Sequence, residues 1–160
     1  LSSQPLPAPL FRRVCSRFAT GIAVATAADA NGAPHGLTVN SFTSVSAEPP
    51  LVLICIDHGA TVLPVFRAAA YFGLNFLRDS QQELSDRFAF QAEGRFVDLP
   101  WQAATGGAPI LNEMLAFMVC RVERHFEAGD HMVLIGEVVE ASETEGSPLL
   151  YYSSRYHRIR

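Results

Sequence analysis

The sequence predicts a mainly β fold: an antiparallel closed sheet with a few flanking helices. Three observations carry this. Short segments rich in Val, Ile, Thr and aromatic residues outnumber segments of helical period. The connections between them are mostly too short for the crossover that a parallel pair requires. At 160 residues, with 49% apolar and 18% charged residues, the chain has the length and composition of one ordinary globular domain.

Taken in order, residues 1–8 are rich in Ser and Pro and read as a flexible segment, which leaves 9–160 as a single domain. Leu10, Phe11, Val14, Cys15 and Phe18 recur at helical spacing opposite Arg12, Arg13 and Arg17, predicting an amphipathic helix. Residues 20–28 read as a strand, and Asn31-Gly32 as a turn.

The stretch GLTVNSFTSVSAEPPLVLICID, residues 36–57, is the most informative part of the chain. An apolar-polar alternation runs into Pro49-Pro50, and a nearly unbroken apolar run follows over 51–56. This predicts strands over 36–46 and 50–57, the second buried on both faces. Thr38, Asn40, Ser41, Thr43 and Ser44 form a polar row along the first strand. Such a row suits a flat, hydrogen-bonding ligand and equally the solvated face of an edge strand.

Further on, 61–69 reads as a short helix with Pro64 in its first turn, and 71–77 as a strand. Ser80-Gln81-Gln82-Glu83 has the pattern of a capping box, opening a helix with Leu84 and Phe88 on one face. Residues 91–113, with Gly106-Gly107 and Pro109, read as a surface loop. Apolar and polar residues alternate over 116–126, and Gly129-Asp130 turns the chain into a strand over 132–141.

Composition excludes several functions. The formal charge is -4 and the arginines are scattered among acids, unlike a nucleic-acid footprint. All twelve basic residues are arginine, so neither a Schiff-base lysine nor a P-loop lysine exists. No GxGxxG follows a strand. Cys15, Cys55 and Cys120 are too widely spaced for a zinc cluster and odd in number; they read as small buried hydrophobes in a reducing cytoplasm. The histidines lack ligand spacing, and no metal site is expected. The apolar runs fall short of a membrane span, and no signal-peptide pattern opens the sequence.

GLTVNSFTSVSAEPP resembles the signature of the short-chain flavin reductases, the small components of two-component flavin-dependent monooxygenases. The resemblance extends through FATGIAVAT, the NFL of 75–77, the LSDRFA of 84–89, the GAPIL of 107–111, the GDH of 129–131, the IGEV of 135–138 and the PLLY of 148–151. It implies an FMN-binding split barrel, a Greek-key β-barrel that forms homodimers with flavin near the subunit interface. It also implies an NAD(P)H:flavin oxidoreductase that transfers hydride from NADH or NADPH to FMN or FAD and supplies reduced flavin, by diffusion, to a partner monooxygenase.

The same resemblance suggests the site. Thr38, Val39, Asn40 and Ser41 match the ring-contacting strand, partly through backbone groups. Asp57 to Thr61 match the phosphate loop, although His58-Gly59-Ala60-Thr61 departs from the serine-rich loop of many relatives. Thr61 at a helix start suits an anion and equally reads as an ordinary N-cap. Ser85, Phe88 and Arg95 lie in the segment that completes the flavin pocket; Phe88 reads equally as core and Arg95 as a solvated arginine. His131 is the expected nicotinamide residue, its alternative being a hairpin-end histidine bonded to Asp130. Among the tyrosines near the C-terminus, Tyr156 is the candidate to cover the cofactor. Split barrels also serve as non-catalytic flavin- or heme-binding modules, so the fold alone does not make an enzyme.

Overall fold

Period-two apolar patterning builds one seven-stranded antiparallel sheet, which the computed structural model describes within residues 5–159. In chain order the elements are helix α1 (Ala8–Cys15), strands β1 (Thr20–Gly21), β2 (Ala23–Ala28), β3 (Pro34–Val39), β4 (Thr43–Ala47) and β5 (Pro50–Asp57), and helix α2 (Leu63–Ala68). There follow β6 (Tyr71–Phe76), helix α3 (Gln82–Phe90), β7 (Trp101–Ala103), a 3-10 turn (Thr105–Gly107), β8 (Pro109–Leu111), β9 (Ala116–Ala128), β10 (His131–Glu143), β11 (Leu150–Tyr152) and β12 (Arg155–His157). The main sheet runs β3-β2-β6-β9-β10-β5-β4, and β1-β11-β12 and β7-β8 form accessory sheets.

Connectivity closes the sheet. β3 and β4 lie at opposite edges, yet only residues 40–42 join them. Three residues reach about 10 Å, so the sheet must curl until its edges meet. At the seam the Ser41 hydroxyl accepts from the Cys55 amide at 2.9 Å and donates to the Cys55 carbonyl at 3.1 Å. One side chain thus stands in for a ladder between β3 and β5. On β4 the register with β5 shifts between Ser44 and Ser46, leaving Val45 as a bulge.

Inside the barrel lie Val52, Ile54, Ile56, Phe66, Phe72, Leu74, Met132 and Leu134, all buried. Gly136 is required here, since a Cβ would sit 2.5 Å from the Phe72 ring. β2 and β6 are buried on both faces because α3 and the accessory strands cover their outer side, where Ile22, Val24, Leu77, Phe88 and Leu149 pack. Asn75 joins the layers: its amide donates to the Val24 carbonyl at 3.0 Å and to Thr26 Oγ1 at 3.2 Å, and its oxygen accepts from the Leu111 amide at 2.8 Å. Thr26 in turn donates to the Pro109 carbonyl.

Several expectations need correction. The strand over 36–46 is two strands broken at 40–42, where Ser41 leaves the ladder. β5 is buried on one face only, with Leu51, Leu53 and Cys55 half-buried on the other. No capping box forms: Gln81 holds the cap position, and its side-chain oxygen accepts from the Arg78 amide at 2.8 Å. Residues 91–113 contain the β7-β8 hairpin, tied to the core through Ile110 and Leu111. Of the cysteines only Cys120 is buried, and burial pushes its thiol up to about 12. Cys15 is exposed on α1, which has no buried residue among the described ones; its Phe11 and Val14 are about 60% exposed, with the following Phe18 at 78%. Of the segment 1–8, residues 1–4 lie outside the described residues, and Ala8 already begins α1.

Asn75→Leu keeps the branched shape but leaves the buried Leu111 amide without its acceptor and removes the donor to the Val24 carbonyl, so it should lower stability by about 2–4 kcal/mol. Urea denaturation should show a lower midpoint with an unchanged slope; an unchanged midpoint would remove this network as a determinant of the fold.

Candidate functional site

The split in the barrel makes the cleft. β3 pairs on one side with β2 alone, so its other edge presents backbone groups that no strand takes up. Alongside this edge is a cleft of about 680 Å³, walled by Gly36 of β3, Thr61 and Val62 before α2, and Arg95 and Phe96 of the segment after α3. Val39 and Asn40, at the far end of β3, line a second hollow of about 140 Å³ with Phe18, Phe42 and Phe76. β3 therefore runs from one hollow to the other.

Arg95 is first a strut. Its Nη1 donates to the Gly36 carbonyl and its Nε to the Gln91 carbonyl, each at 2.6 Å, while burial lowers its pKa from the ordinary arginine value. Arg87 ties the same segment from the other side through the Gly94 carbonyl at 3.3 Å. Thr61 is exposed on the opposite wall. It is not the N-cap, since Val62 holds that position without a side-chain cap bond and α2 is only six residues long.

Three other expected pocket residues support β3 from behind and do not reach the wall. Thr38 Oγ1 donates to the Ser85 carbonyl at 2.6 Å. Buried Ser85 bonds the Tyr156 hydroxyl at 2.8 Å, which itself donates to Asp86 Oδ1 at 3.0 Å. With Tyr156 spending its proton on Asp86, Ser85 is the donor in their bond. Burial is the main cause of the raised Tyr156 pKa, and Asp86 adds to it. Phe88 is 1% exposed and stacks edge-on against Phe96 at 5.1 Å. Its ring lies under Gly36, where a Cβ would come within 2.9 Å of it. In the polar row, Val39 is buried, Ser41 is committed to Cys55, and Asn40 is exposed at the rim.

His131 stands elsewhere on the same molecule: the β5-β10 register places it opposite Asp57, where the 57–61 loop begins. Its Nδ1 bonds Asp130 Oδ1 at 2.6 Å, which holds that carboxylate below its usual range, and 40% of its side chain is exposed. This is the hairpin-end contact that the sequence left open. His131 does not line the 680 Å³ cleft. Asp57 shapes the loop, accepting from the Gly59 amide on Oδ1 at 2.6 Å and from the Ala60 amide on its carbonyl at 3.0 Å. The His58 amide donates to the Asp130 carbonyl at 2.9 Å, joining loop to turn. His58, Glu127 and Arg67 form a chain of polar contacts here. Sequence reasoning missed it, because nothing local relates His58 to Glu127, 69 positions away.

A β-barrel left open along one seam, with a ligand-sized cleft on the free edge, is a split barrel. The family model for the flavin reductase like domain matches residues 15–160, and the chain belongs to this family. The reductase component of 4-nitrophenol 4-monooxygenase/4-nitrocatechol 2-monooxygenase from Rhodococcus opacus is 37% identical over 96% of the chain and 82% of its own length. A flavin reductase from Pseudomonas putida is 39% identical over 91% of the chain and 86% of its own length. The NADH:FAD oxidoreductase of Streptomyces globisporus, solved with NAD and FAD fragments, superposes with a TM-score of 0.89 at 32% identity, covering 98% of each chain. The chain spans 43% of the length of the probable flavin reductase of Rhizobium meliloti, which it matches at 40% identity. No helix among the described residues is long and apolar enough to cross a membrane.

Proposed function

We propose that this domain is an NADH-dependent flavin reductase, passing hydride to FMN or FAD and supplying the reduced flavin to a partner monooxygenase by diffusion. The observation that carries this is the free edge of β3 between two hollows, with Thr61, at the end of the 57–61 loop, on the wall of the larger one. Backbone donors and acceptors on an edge strand suit the polar rim of an isoalloxazine ring, apolar Val39 and Phe42 suit its hydrocarbon end, and Thr61 and Arg95 suit phosphate. Flavin and nicotinamide supply the redox chemistry when bound; the protein binds, aligns and excludes water. In this reading Asn40 and the backbone of 38–41 orient the ring, Thr61 and the spare donors of Arg95 hold phosphate, and His131 orients nicotinamide.

The domain works as a homodimer in this proposal. Leu51, Leu53, Cys55, Val133 and Ile135 share the outer face of β5 and β10 and are half-buried, beside exposed Phe126 on β9. A contiguous apolar sheet face marks an interface, and one on this face would bring the second copy beside His131. Three free cysteines agree with a reducing cytoplasm.

Bound flavin should be held with a Kd near micromolar, about 8 kcal/mol, because the contacts are mostly neutral hydrogen bonds and no lysine clamps the phosphate. NADH oxidation with added FMN or FAD, coupled to a cognate oxygenase behind a dialysis membrane, should sustain hydroxylation. Flavin that survives exhaustive gel filtration and many turnovers would defeat diffusive transfer, and flavin binding without NADH oxidation would make the domain a binding module. His131→Ala should lower kcat/KM for NADH roughly tenfold, about 1.4 kcal/mol, with flavin affinity little changed. Collapse of flavin affinity, or unchanged turnover, would refute the role of His131. Light scattering at micromolar concentration should give a dimer mass; a fully active monomer would refute the assembly.

A further inference from the structure

We infer that His58 is a positioning residue: through Glu127 it fixes the spacing between the loop that carries Thr61 and the turn that carries His131. This rests on the roles proposed above for those two residues. The His58 ring Nε2 hydrogen-bonds Oε2 of Glu127, near the end of β9, and the other Glu127 oxygen holds Nη2 of Arg67 on α2 at 2.9 Å. Together with the His58 amide on the Asp130 carbonyl, this ties the loop, α2 and the β9-β10 hairpin into one unit.

The loop depends on that tie. Its internal bonds, from the Gly59 and Ala60 amides to Asp57, set its shape but not its distance from the hairpin. Beyond the last ladder pair, His131 with Asp57, both hydrogen bonds from loop to hairpin among the described residues come from His58. Gly59 follows it directly and restrains nothing with a side chain. Hydride transfer between two bound cofactors requires reacting atoms about 3–3.5 Å apart, and a 1 Å error costs up to about a hundredfold. A contact joining the flavin-side loop to the nicotinamide-side turn therefore acts on the rate more than on either affinity. Each contact lies on the surface, where one hydrogen bond contributes little to global stability, so its effect is separable from folding.

The test is a double-mutant cycle. His58→Ala should lower kcat about fivefold, leave the flavin Kd within about twofold, and have no further effect in a His131→Ala background. His58→Gln, which retains a side-chain donor to Glu127, should recover kcat to within about twofold of wild type. An unchanged kcat in His58→Ala, or an equal loss in the His131→Ala background, would overturn the inference. Hydrogen exchange on the ligand-free protein decides the tie independently of turnover. His58→Ala and Glu127→Ala should each speed exchange over 58–61 and 129–130 together by about fivefold, leaving the barrel strands unchanged. Should the wild type fail to oxidise NADH, the proposed function falls, and unchanged exchange would then remove the clamp as well.

Discussion

Three residues govern the architecture. The link 40–42 is too short to leave β3 and β4 apart, so a sheet that carries them at opposite edges has to close. Closure is incomplete, and Ser41 bridges the gap by taking both backbone groups of Cys55. Had β3 met β5 in a full ladder, no backbone edge would remain for a ligand, and no cleft would separate Gly36 from Thr61. The site is a consequence of imperfect closure, produced by the same side chain that completes it.

The β3 side of the cleft is held from behind. Thr38, Ser85, Tyr156 and Asp86 form a hydrogen-bonded relay from β3 through α3 to β12, and Arg87 and Arg95 fasten the segment after α3 to backbone carbonyls. The neutral bonds contribute about 1 kcal/mol each and those to Asp86, Arg87 and Arg95 about 1.5–3 kcal/mol, modest for stability but enough to limit the positions available to an edge strand. Phe88 adds packing under Gly36, where only hydrogen fits.

An unbroken apolar run made β5 legible in the sequence, alternation made β9 legible, the Gly129-Asp130 turn announced β10 and helical spacing marked α1, because those signals are local. The break at 40–42 was not legible, although Asn40 and Ser41 interrupt the alternation of Leu37 and Val39, because two adjacent polar residues also suit an exposed strand edge and only the distant Cys55 reveals why Ser41 leaves the ladder. The half-buried outer face of β5 reads as core from composition alone, because an apolar face that the fold leaves partly open and one that it covers have the same composition. Very short strands such as β11 and β12 carry too few residues to show a period. At the site, Thr61, Gly36 and Arg95 converge on one cleft, whereas Ser85, Phe88 and Tyr156 turn inward. Sequence identifies hydroxyl and aromatic groups near a strand but not which side of it they occupy.

The bulge at Val45 bears on how copies of this chain can meet. β4 is an edge strand, and a flat edge would template further strands without a natural stopping point. The extra residue interrupts the regular row of donors and acceptors and twists it away from a neighbour. Growth along the hydrogen-bonding direction is thereby obstructed, while contact through sheet faces is not. Face-to-face association about a two-fold axis terminates after two copies, so a single inserted residue disfavours open-ended growth of this sheet and leaves closed pairing as the geometry for any self-association.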